Sequence, residues 1–209
     1  MADYGLTDLT QDRVMLRTLY APPEGAFGVV DVPALPFAVL DGAGAPEQAS
    51  IGAAVRALYT AIYPIRREAR ERMGKAFVEA PVEILYQADD LDDVAAGRRD
   101  KWKWRVQITL PVWVDAGRLE DSVAEMRSEL GDATAPRWEA VVEGACVQRL
   151  HLGQVDDLPD LLRDLYLDYL PREALEPAGA YHEIYLDDWS RVAPARRRII
   201  VRQPVQRIA

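Results

Sequence analysis

The stretch Tyr181-His182-Glu183-Ile184-Tyr185-Leu186-Asp187 decides the fold that the sequence predicts. Its β-branched and aromatic residues predict a strand, and the acidic pair at Asp187-Asp188 closes it. Alternate side chains of a strand point to opposite faces, so Tyr181, Glu183 and Tyr185 lie on one face. If that face is enclosed, the carboxylate between the two tyrosines needs hydrogen bonds or a cation, whereas on an open face it is merely solvated. Both alternatives stay open at this point.

A second stretch, Val82-Glu83-Ile84-Leu85-Tyr86, has nearly the same composition, with a glutamate before an isoleucine. Each stretch is followed by a strand that ends in Pro-Val, at Pro111-Val112 and at Pro204-Val205, and each is preceded by a helix and an earlier strand. The chain therefore contains one strand–helix–strand–strand unit twice. We predict an α+β fold made by tandem duplication, with pseudo-two-fold symmetry, a central ligand cleft and Glu83 superposed on Glu183.

The predicted organisation is an N-terminal arm over residues 1–28 and a single domain over residues 29–206. The domain consists of two repeats, 29–113 and 144–206, joined by a helical linker with a helix at about residues 119–130. The first repeat has a helix from Pro46 to about Arg72, which Pro64 is expected to kink or break. The helix of the second repeat starts near Asp156-Asp157, and we expect Pro171 to end it.

Two such units placed side by side are expected to leave a concave face opposite the helices, and Glu183 and Glu83 to project from it. Aromatic side chains with a few polar groups are the usual lining of a small-molecule site. Trp104 lies on the strand after Glu83, where a core position and a pocket position are equally open. The other aromatic candidates of the first repeat and its flanks are Tyr59, Tyr63, Tyr86 and Trp113.

Composition and charge exclude several classes of protein. The formal net charge of -9 argues against a nucleic acid as the default partner, and no apolar run is long enough to span a membrane. The single cysteine, Cys146, excludes an internal disulfide, and the two histidines show no zinc-type spacing. There is no glycine-rich phosphate loop, so we expect no metal and no cofactor. The start of the chain lacks the pattern of a signal peptide, so we expect a cytoplasmic protein, monomeric or a weak homo-oligomer.

An ordered set of short motifs runs from about Val29 to Val205. They are Leu58-Tyr59 with Tyr63, Pro81-Val82-Glu83, Trp104 through Pro111, Cys146-Val147-Gln148, His151-Leu152-Gly153, Asp156-Asp157, His182 through Leu186, and Arg202-Gln203-Pro204-Val205. In this order they resemble the GyrI-like small-molecule-binding superfamily, and within it the stand-alone cyclopropanoid cyclopropyl hydrolases. One departure is that Ile84, Leu85 and Tyr86 stand where that family often has glycine and tryptophans.

The resemblance implies binding of a planar aromatic small molecule. In the hydrolytic branch it implies that water opens the cyclopropane ring of duocarmycin-like or yatakemycin-like genotoxins, giving detoxification or self-resistance. Glu183 is then expected to be the base, and Tyr185 or Tyr59 the donor to the oxygen that becomes a phenolate. The residues expected to bind the ligand are Tyr59, Tyr63, Glu83, Tyr86, Trp104, Trp113 and Tyr181.

Two other classes of function use the same residues. A non-catalytic module would pair Glu183 with a cationic, lipophilic ligand. A protein-inhibitor role would use the cleft or its rim to bind another protein. A drug-sensing regulator in one chain is not expected, because no helix-turn-helix pattern precedes residue 29.

Overall fold

The computed structural model of the chain describes residues 5–74, 77, 80–88, 99–131, 133–188 and 191–208. Antiparallel pairing joins the strands into one sheet, in the order β1-β6-β9-β8-β3-β4-β2-β5, with β7 paired to β9. The strands are β1 Gly28–Val32, β2 Leu35–Ala43, β3 Val82–Gln87, β4 Lys103–Thr109, β5 Arg137–Val141, β6 Gly144–Leu152, β7 Leu175–Pro177, β8 Tyr181–Tyr185 and β9 Arg198–Arg207. The predicted α+β class is confirmed.

The helices lie at the N-terminus, between β2 and β3, between β4 and β5, and between β6 and β7. They are α1 Arg13–Tyr20, α2 Gln48–Glu68, α3 Ala116–Glu125, α4 Arg127–Leu130, α5 Leu158–Arg163 and α6 Leu170–Arg172. A π-helical turn follows α2 at Ala69–Met73, and another joins α5 to α6 at Asp164–Tyr169. Among the described residues, no helix combines the length and the apolar character needed to cross a membrane.

The strand order agrees with two units placed side by side. Strands β6-β9-β8 come from residues 144–206, strands β3-β4-β2 come from residues 29–113, and the two sets meet where β8 pairs with β3. We call this pairing the β3–β8 seam. Counted outward from the seam, each side consists of the second, the third and then the first strand of its predicted repeat: β3-β4-β2 on one side and β8-β9-β6 on the other. A duplicated unit would give this order, and the duplication itself stays a prediction.

The register at the seam corrects the predicted superposition of the two glutamates. Glu83 pairs with Ile184, and Glu183 pairs with Ile84. Paired residues of neighbouring strands lie on the same face of a sheet, so the two glutamates lie on opposite faces. Aligning the two Glu-Ile stretches by sequence places Glu83 on Glu183, whereas in the structure Glu183 shares its face with Ile84, one residue further along β3.

The helices of the two repeats, α2 and α5, lie on the face that carries Glu183, so the expectation that Glu183 projects from the face opposite these helices is wrong. α2 packs on this face in a core that contains Ile84 and Val106, and α5 packs on it in a second core with Ile199 and Val201. These positions of β3, β4 and β9 are apolar, as expected for strand residues that pack under the apolar stripe of a helix. Glu183 thus lies on the same face of the sheet as both of these cores.

α1 covers the opposite face. Its residues Leu19 and Tyr20 pack in a third core with Ile184 and Ile200. This helix lies within the N-terminal arm predicted over residues 1–28, for which no helix was predicted. Asp12 caps α1, since its side chain accepts a hydrogen bond from the backbone N–H of Met15.

Pro64 does not break α2, whereas the last short helix ends within one residue of Pro171, close to the predicted position. α2 continues through Pro64 to Glu68, and the buried residues Ile62 and Ile65 on either side hold the backbone helical despite the missing N–H. The π-helical turn that follows ends at Gly74, which has a left-handed φ of 58°. Pro171 lies inside the last short helix, which ends at Arg172.

Candidate functional site

Glu183 accepts hydrogen bonds from three tyrosine side chains. The Tyr181 hydroxyl lies 3.1 Å from Oε1, and the Tyr86 hydroxyl lies 3.4 Å from Oε2. The Tyr185 hydroxyl makes a short hydrogen bond to Oε2. Tyr181 and Tyr185 flank Glu183 on one face of β8, and Tyr86 reaches it from β3, where it pairs with Tyr181. We call these four residues the Glu183 site.

The site is enclosed, which excludes the alternative that Glu183 is a solvated strand residue. Glu183 is 8% exposed. Burial, followed by the negative charge of Glu183, raises the pKa of Tyr181 and the pKa of Tyr185 well above the ordinary value for tyrosine. Both phenols therefore stay protonated at neutral pH and remain donors to the carboxylate.

Aromatic rings extend from the site along the sheet. The rings of Tyr86 and Tyr181 stack with their centroids 6.1 Å apart, and Trp102 lies 6.0 Å from Tyr86 in a tilted arrangement. Trp104 pairs with Tyr86 across β3 and β4, so it continues the row on the same face. Sequence reasoning named Tyr86, Tyr181 and Trp104 but missed Trp102, which lies one residue before β4.

Trp104 is mainly a core residue. It is 7% exposed and packs in the core under α2. Its indole lies flat over Gly42 of β2, where an added Cβ would be 2.0 Å from Cζ2 of the ring. Its buried Nε1 has no hydrogen-bond partner within the described part of the chain.

Tyr59 and Tyr63, the two tyrosines of α2, are more exposed than Glu183. Tyr59 is 39% exposed, and its pKa is raised, chiefly by burial and further by the negative charge of Asp188. Because Asp188 follows β8, Tyr59 lies toward the C-terminal end of the strand that carries Glu183. Tyr63 is 53% exposed, and the Arg67 guanidinium lies 5.8 Å from the centre of its ring.

Trp113 belongs to a different surface. It packs edge-on against Phe77, with ring centroids 6.4 Å apart, and the Arg118 guanidinium lies 5.6 Å from its ring. It lines a groove of about 640 Å³ between α2 and α3, whose described lining includes none of the four residues of the Glu183 site. The prediction that Trp113 shares a pocket with Glu183 is not supported by this placement.

Glu83, an expected ligand-binding residue, is fully buried on the opposite face beneath α1. The Tyr20 hydroxyl donates to its Oε1 at 2.7 Å, and Nε2 of Gln107 donates to its Oε2 at 2.8 Å. The expected contact between Glu83 and a ligand in the cleft is therefore wrong. Its carboxylate is separated from the cleft by the sheet itself.

A buried polar cluster on this second face was missed by sequence reasoning. Nε2 of His182 lies 2.7 Å from Oε1 of Glu143. Nη1 of Arg202 lies 3.6 Å from the other oxygen of Glu143. Burial alone raises the pKa of Glu143, but the neighbouring His182 and Arg202 outweigh it, so this pKa is lower than usual. The available signal was the strand alternation, which points His182 away from Glu183.

The site offers a carboxylate and phenol donors rather than metal ligands. Among the described residues, no group of three or more His, Cys, Asp and Glu side chains is placed to hold a metal ion. An enclosed carboxylate can take a proton from water or pair with a cation, and an enclosed phenol can stabilise a developing oxyanion. The aromatic row supplies flat, apolar contact area.

No protein-family model matches the chain, and no curated protein is significantly similar to it. Solved structures match over nearly its whole length. An uncharacterized conserved protein from Listeria innocua is 27% identical, with a TM-score of 0.78, and the match covers 91% of this chain and 96% of that one. A hydrolase encoded by lin2189 from Listeria innocua is also 27% identical, with a TM-score of 0.75 and the same coverage of 91% and 96%.

The EcmrR C-terminal domain shares the fold alone, since it is 13% identical. Its TM-score is 0.56, and the match covers 88% of this chain and 98% of that one. Together these similarities show that this fold occurs in solved structures over nearly the whole length of the chain.

Proposed function

We propose that this protein binds planar, lipophilic aromatic compounds beside Glu183 and hydrolyses the cyclopropane ring of duocarmycin-like or yatakemycin-like genotoxins. The role would be detoxification or self-resistance in the cytoplasm. The observation that carries the proposal is an enclosed carboxylate surrounded by three phenol donors and a row of aromatic rings. The 27% identity with a protein described as a hydrolase supports a hydrolytic reaction.

The proposed reaction adds one water molecule to the substrate. Glu183 takes a proton from water as the water oxygen bonds to the cyclopropane CH₂ carbon, and the strained carbon–carbon bond breaks. The electron pair of that bond passes through the dienone to its oxygen, which becomes a phenolate. The phenolate takes up a proton from solvent, and Glu183 releases to solvent the proton that it took from water, so the net change is the addition of one water. The Tyr86 contact, at 3.4 Å, is the longest of the three hydrogen bonds to Glu183, so Tyr86 is the donor that water replaces most easily.

The phenolate needs a donor on the far side of the reacting ring. Tyr185 is one candidate, because it is enclosed and protonated, and turning its hydroxyl from Glu183 to the substrate oxygen keeps it hydrogen-bonded. Tyr59 is the second candidate, because it lies near Asp188, which follows β8. It is not one of the three tyrosines that donate to Glu183. Tyr185→Phe and Tyr59→Phe, compared for turnover of one substrate, distinguish the two.

Incubation of the purified protein with a cyclopropane-bearing alkylator tests the proposal. We expect the compound to gain the mass of one water faster than in buffer, with no covalent adduct on the protein. Heat-denatured protein is the control, because it keeps the ionisable side chains that could act as general bases but lacks the folded site. Ring opening at the buffer rate would reject the hydrolase.

A second candidate function is the binding of lipophilic cations without catalysis. The supporting observation is that the carboxylate of Glu183 lies beside the stacked rings of Tyr86 and Tyr181, a combination that attracts a delocalised cation. Affinity for a flat organic cation, compared with that for a neutral compound of the same shape, tests it by calorimetry. Equal affinities would reject this alternative.

A further inference from the structure

α1 contacts both halves of the sheet from the side opposite the Glu183 site. The halves meet at the β3–β8 seam, and across this seam Tyr86 of β3 donates to Glu183 of β8. The Glu183 site is therefore complete only when the two halves are correctly placed relative to each other. Two consecutive residues at the end of α1, Leu19 and Tyr20, connect them.

Tyr20 is hydrogen-bonded to the first half of the sheet, which contains β3 and β4. Its hydroxyl donates to Glu83 of β3 at 2.7 Å and lies 2.9 Å from Oγ1 of Thr109 on β4. Glu83 lies next to Ile84, the residue that pairs with Glu183, and three residues before Tyr86. A hydrogen bond to Glu83 thus fixes the strand that carries Tyr86.

Leu19 is bonded to the second half. Its backbone carbonyl accepts a hydrogen bond from Nη2 of Arg202 on β9 at 2.7 Å, and the Arg202 guanidinium lies 5.8 Å from the ring of Tyr20. Arg202 pairs with His182, the neighbour of Glu183 on β8. Leu19, Tyr20, Glu83 and Arg202 are all buried, so these bonds form away from water, where each counts most.

We propose that Tyr20 is a positioning residue of the Glu183 site. Its hydrogen bond to Glu83, on the face opposite the Glu183 site, fixes the position of β3. The hydroxyl of Tyr86 on β3 then stays within hydrogen-bond distance of Glu183. The Tyr86 contact, at 3.4 Å, is already long, so a shift of a few tenths of an ångström across the seam breaks it. The consequence for turnover rests on the proposed hydrolytic function, whereas the consequence for the hydrogen bond does not.

The first test is spectroscopic and uses Tyr20→Phe with ¹³C-labelled glutamate. The Glu183 carboxyl signal is assigned from its absence in Glu183→Gln, and Tyr86→Phe gives its position without the Tyr86 bond. We expect Tyr20→Phe to move this signal toward its position in Tyr86→Phe. A Glu183 signal that stays at the wild-type position would overturn the proposal.

The second test is a double-mutant cycle on turnover. Because small displacements of positioned groups reduce rates strongly, we expect Tyr20→Phe to lower kcat by roughly ten-fold, with a change in KM of less than about two-fold. In the Tyr86→Phe background the same change should reduce kcat by less than about two-fold, because the contact is already absent. Equal losses in both backgrounds contradict the proposal.

Ser122→Ala is the matched control, because it also removes a buried hydrogen bond, from Ser122 to the carbonyl of Ala61 at 2.6 Å, but away from the seam. It should leave the Glu183 signal in place, and a control that moves it equally counts against a specific role for Tyr20. If Tyr20→Phe does not fold, Glu83→Gln replaces the charged acceptor of the Tyr20 hydroxyl and weakens the same bond from the side of β3, and an unmoved Glu183 signal there rejects the proposal. A wild-type protein without turnover rejects the hydrolase alone, and the spectroscopic test still decides the role of Tyr20.

Discussion

Glu183 accepts bonds from three phenols, so exchanging its carboxylate for an amide keeps the size of the side chain and removes the charge and the base. For Glu183→Gln we expect turnover to fall by roughly a hundred- to ten-thousand-fold, while affinity for a neutral planar compound changes little. If the protein only binds cations, affinity for a cation should fall and neutral ligands should be spared. Turnover and both affinities are measured in the same variant, with Glu139→Gln on the opposite face as the control. Unaltered turnover and unaltered affinities mean that the site lies elsewhere.

At Gly42 the indole of Trp104 occupies the space that a side chain would need, whereas the backbone conformation there does not itself require glycine. In Gly42→Ala the new methyl group would lie 2.0 Å from Cζ2 of a buried ring, so the ring or β2 has to move. We expect a loss of about 1–3 kcal/mol in the free energy of unfolding, measured with urea. Gly117→Ala is the control, because its nearest neighbour, Oδ1 of Asp115, is 3.7 Å from the new Cβ. Equal stabilities of the two variants would show that Trp104 can move at no cost.

At the scale of the elements, the turn between β5 and β6 is tied to β8 and β9 through one buried carboxylate. Glu143 lies 2.7 Å from His182 and 3.6 Å from Arg202, and these neighbours lower its pKa from the usual value of 4.5. A lowered pKa stabilises the fold above the unfolded-state pKa, and this contribution disappears as the pH falls through the folded-state pKa. Glu143→Gln should therefore destabilise the protein by about 3–5 kcal/mol at neutral pH, by leaving Arg202 without its charge partner.

The difference in stability between Glu143→Gln and the wild type should shrink as the pH falls below about 4.5. Urea titrations at a series of pH values measure it. Glu139→Gln, which removes a partly exposed partner of Arg105 and Arg137, should cost no more than about 1 kcal/mol. A difference for Glu143→Gln that stays constant down to acid pH would show that its charge is not what connects these elements.

The elements also show which parts of the fold and site the sequence can predict. The strand at Tyr181 and its alternation follow from local composition, and so does the placement of two tyrosines beside Glu183. The register between β3 and β8 does not, because it depends on the packing of helices distant in the chain, and a shift of one residue moved Glu83 to the other face. α1 carries one local signal, the capping residue Asp12, but its short length of eight residues makes that signal weak in the sequence.

At the scale of the whole molecule, one continuous sheet makes the two halves a single cooperative unit. β8 and β3 pair over five residues at the seam, and α1 bonds to both halves behind it. We expect thermal unfolding to occur in one transition by calorimetry, with equal calorimetric and van't Hoff enthalpies. Two transitions would mean that each half unfolds independently.

A ligand beside Glu183 contacts a site that both halves build, so its binding should raise the midpoint of the whole transition. At a ligand concentration about 100 times Kd the stabilisation is about 2.7 kcal/mol, provided that the unfolded chain does not bind. Tyr86→Phe removes the contribution of β3 to the site and should reduce this stabilisation, whereas Ser122→Ala, which lies away from the seam, should not. Equal ligand-induced shifts in the two variants would place the binding energy on β8 alone, and β3 would then support the site without taking part in it.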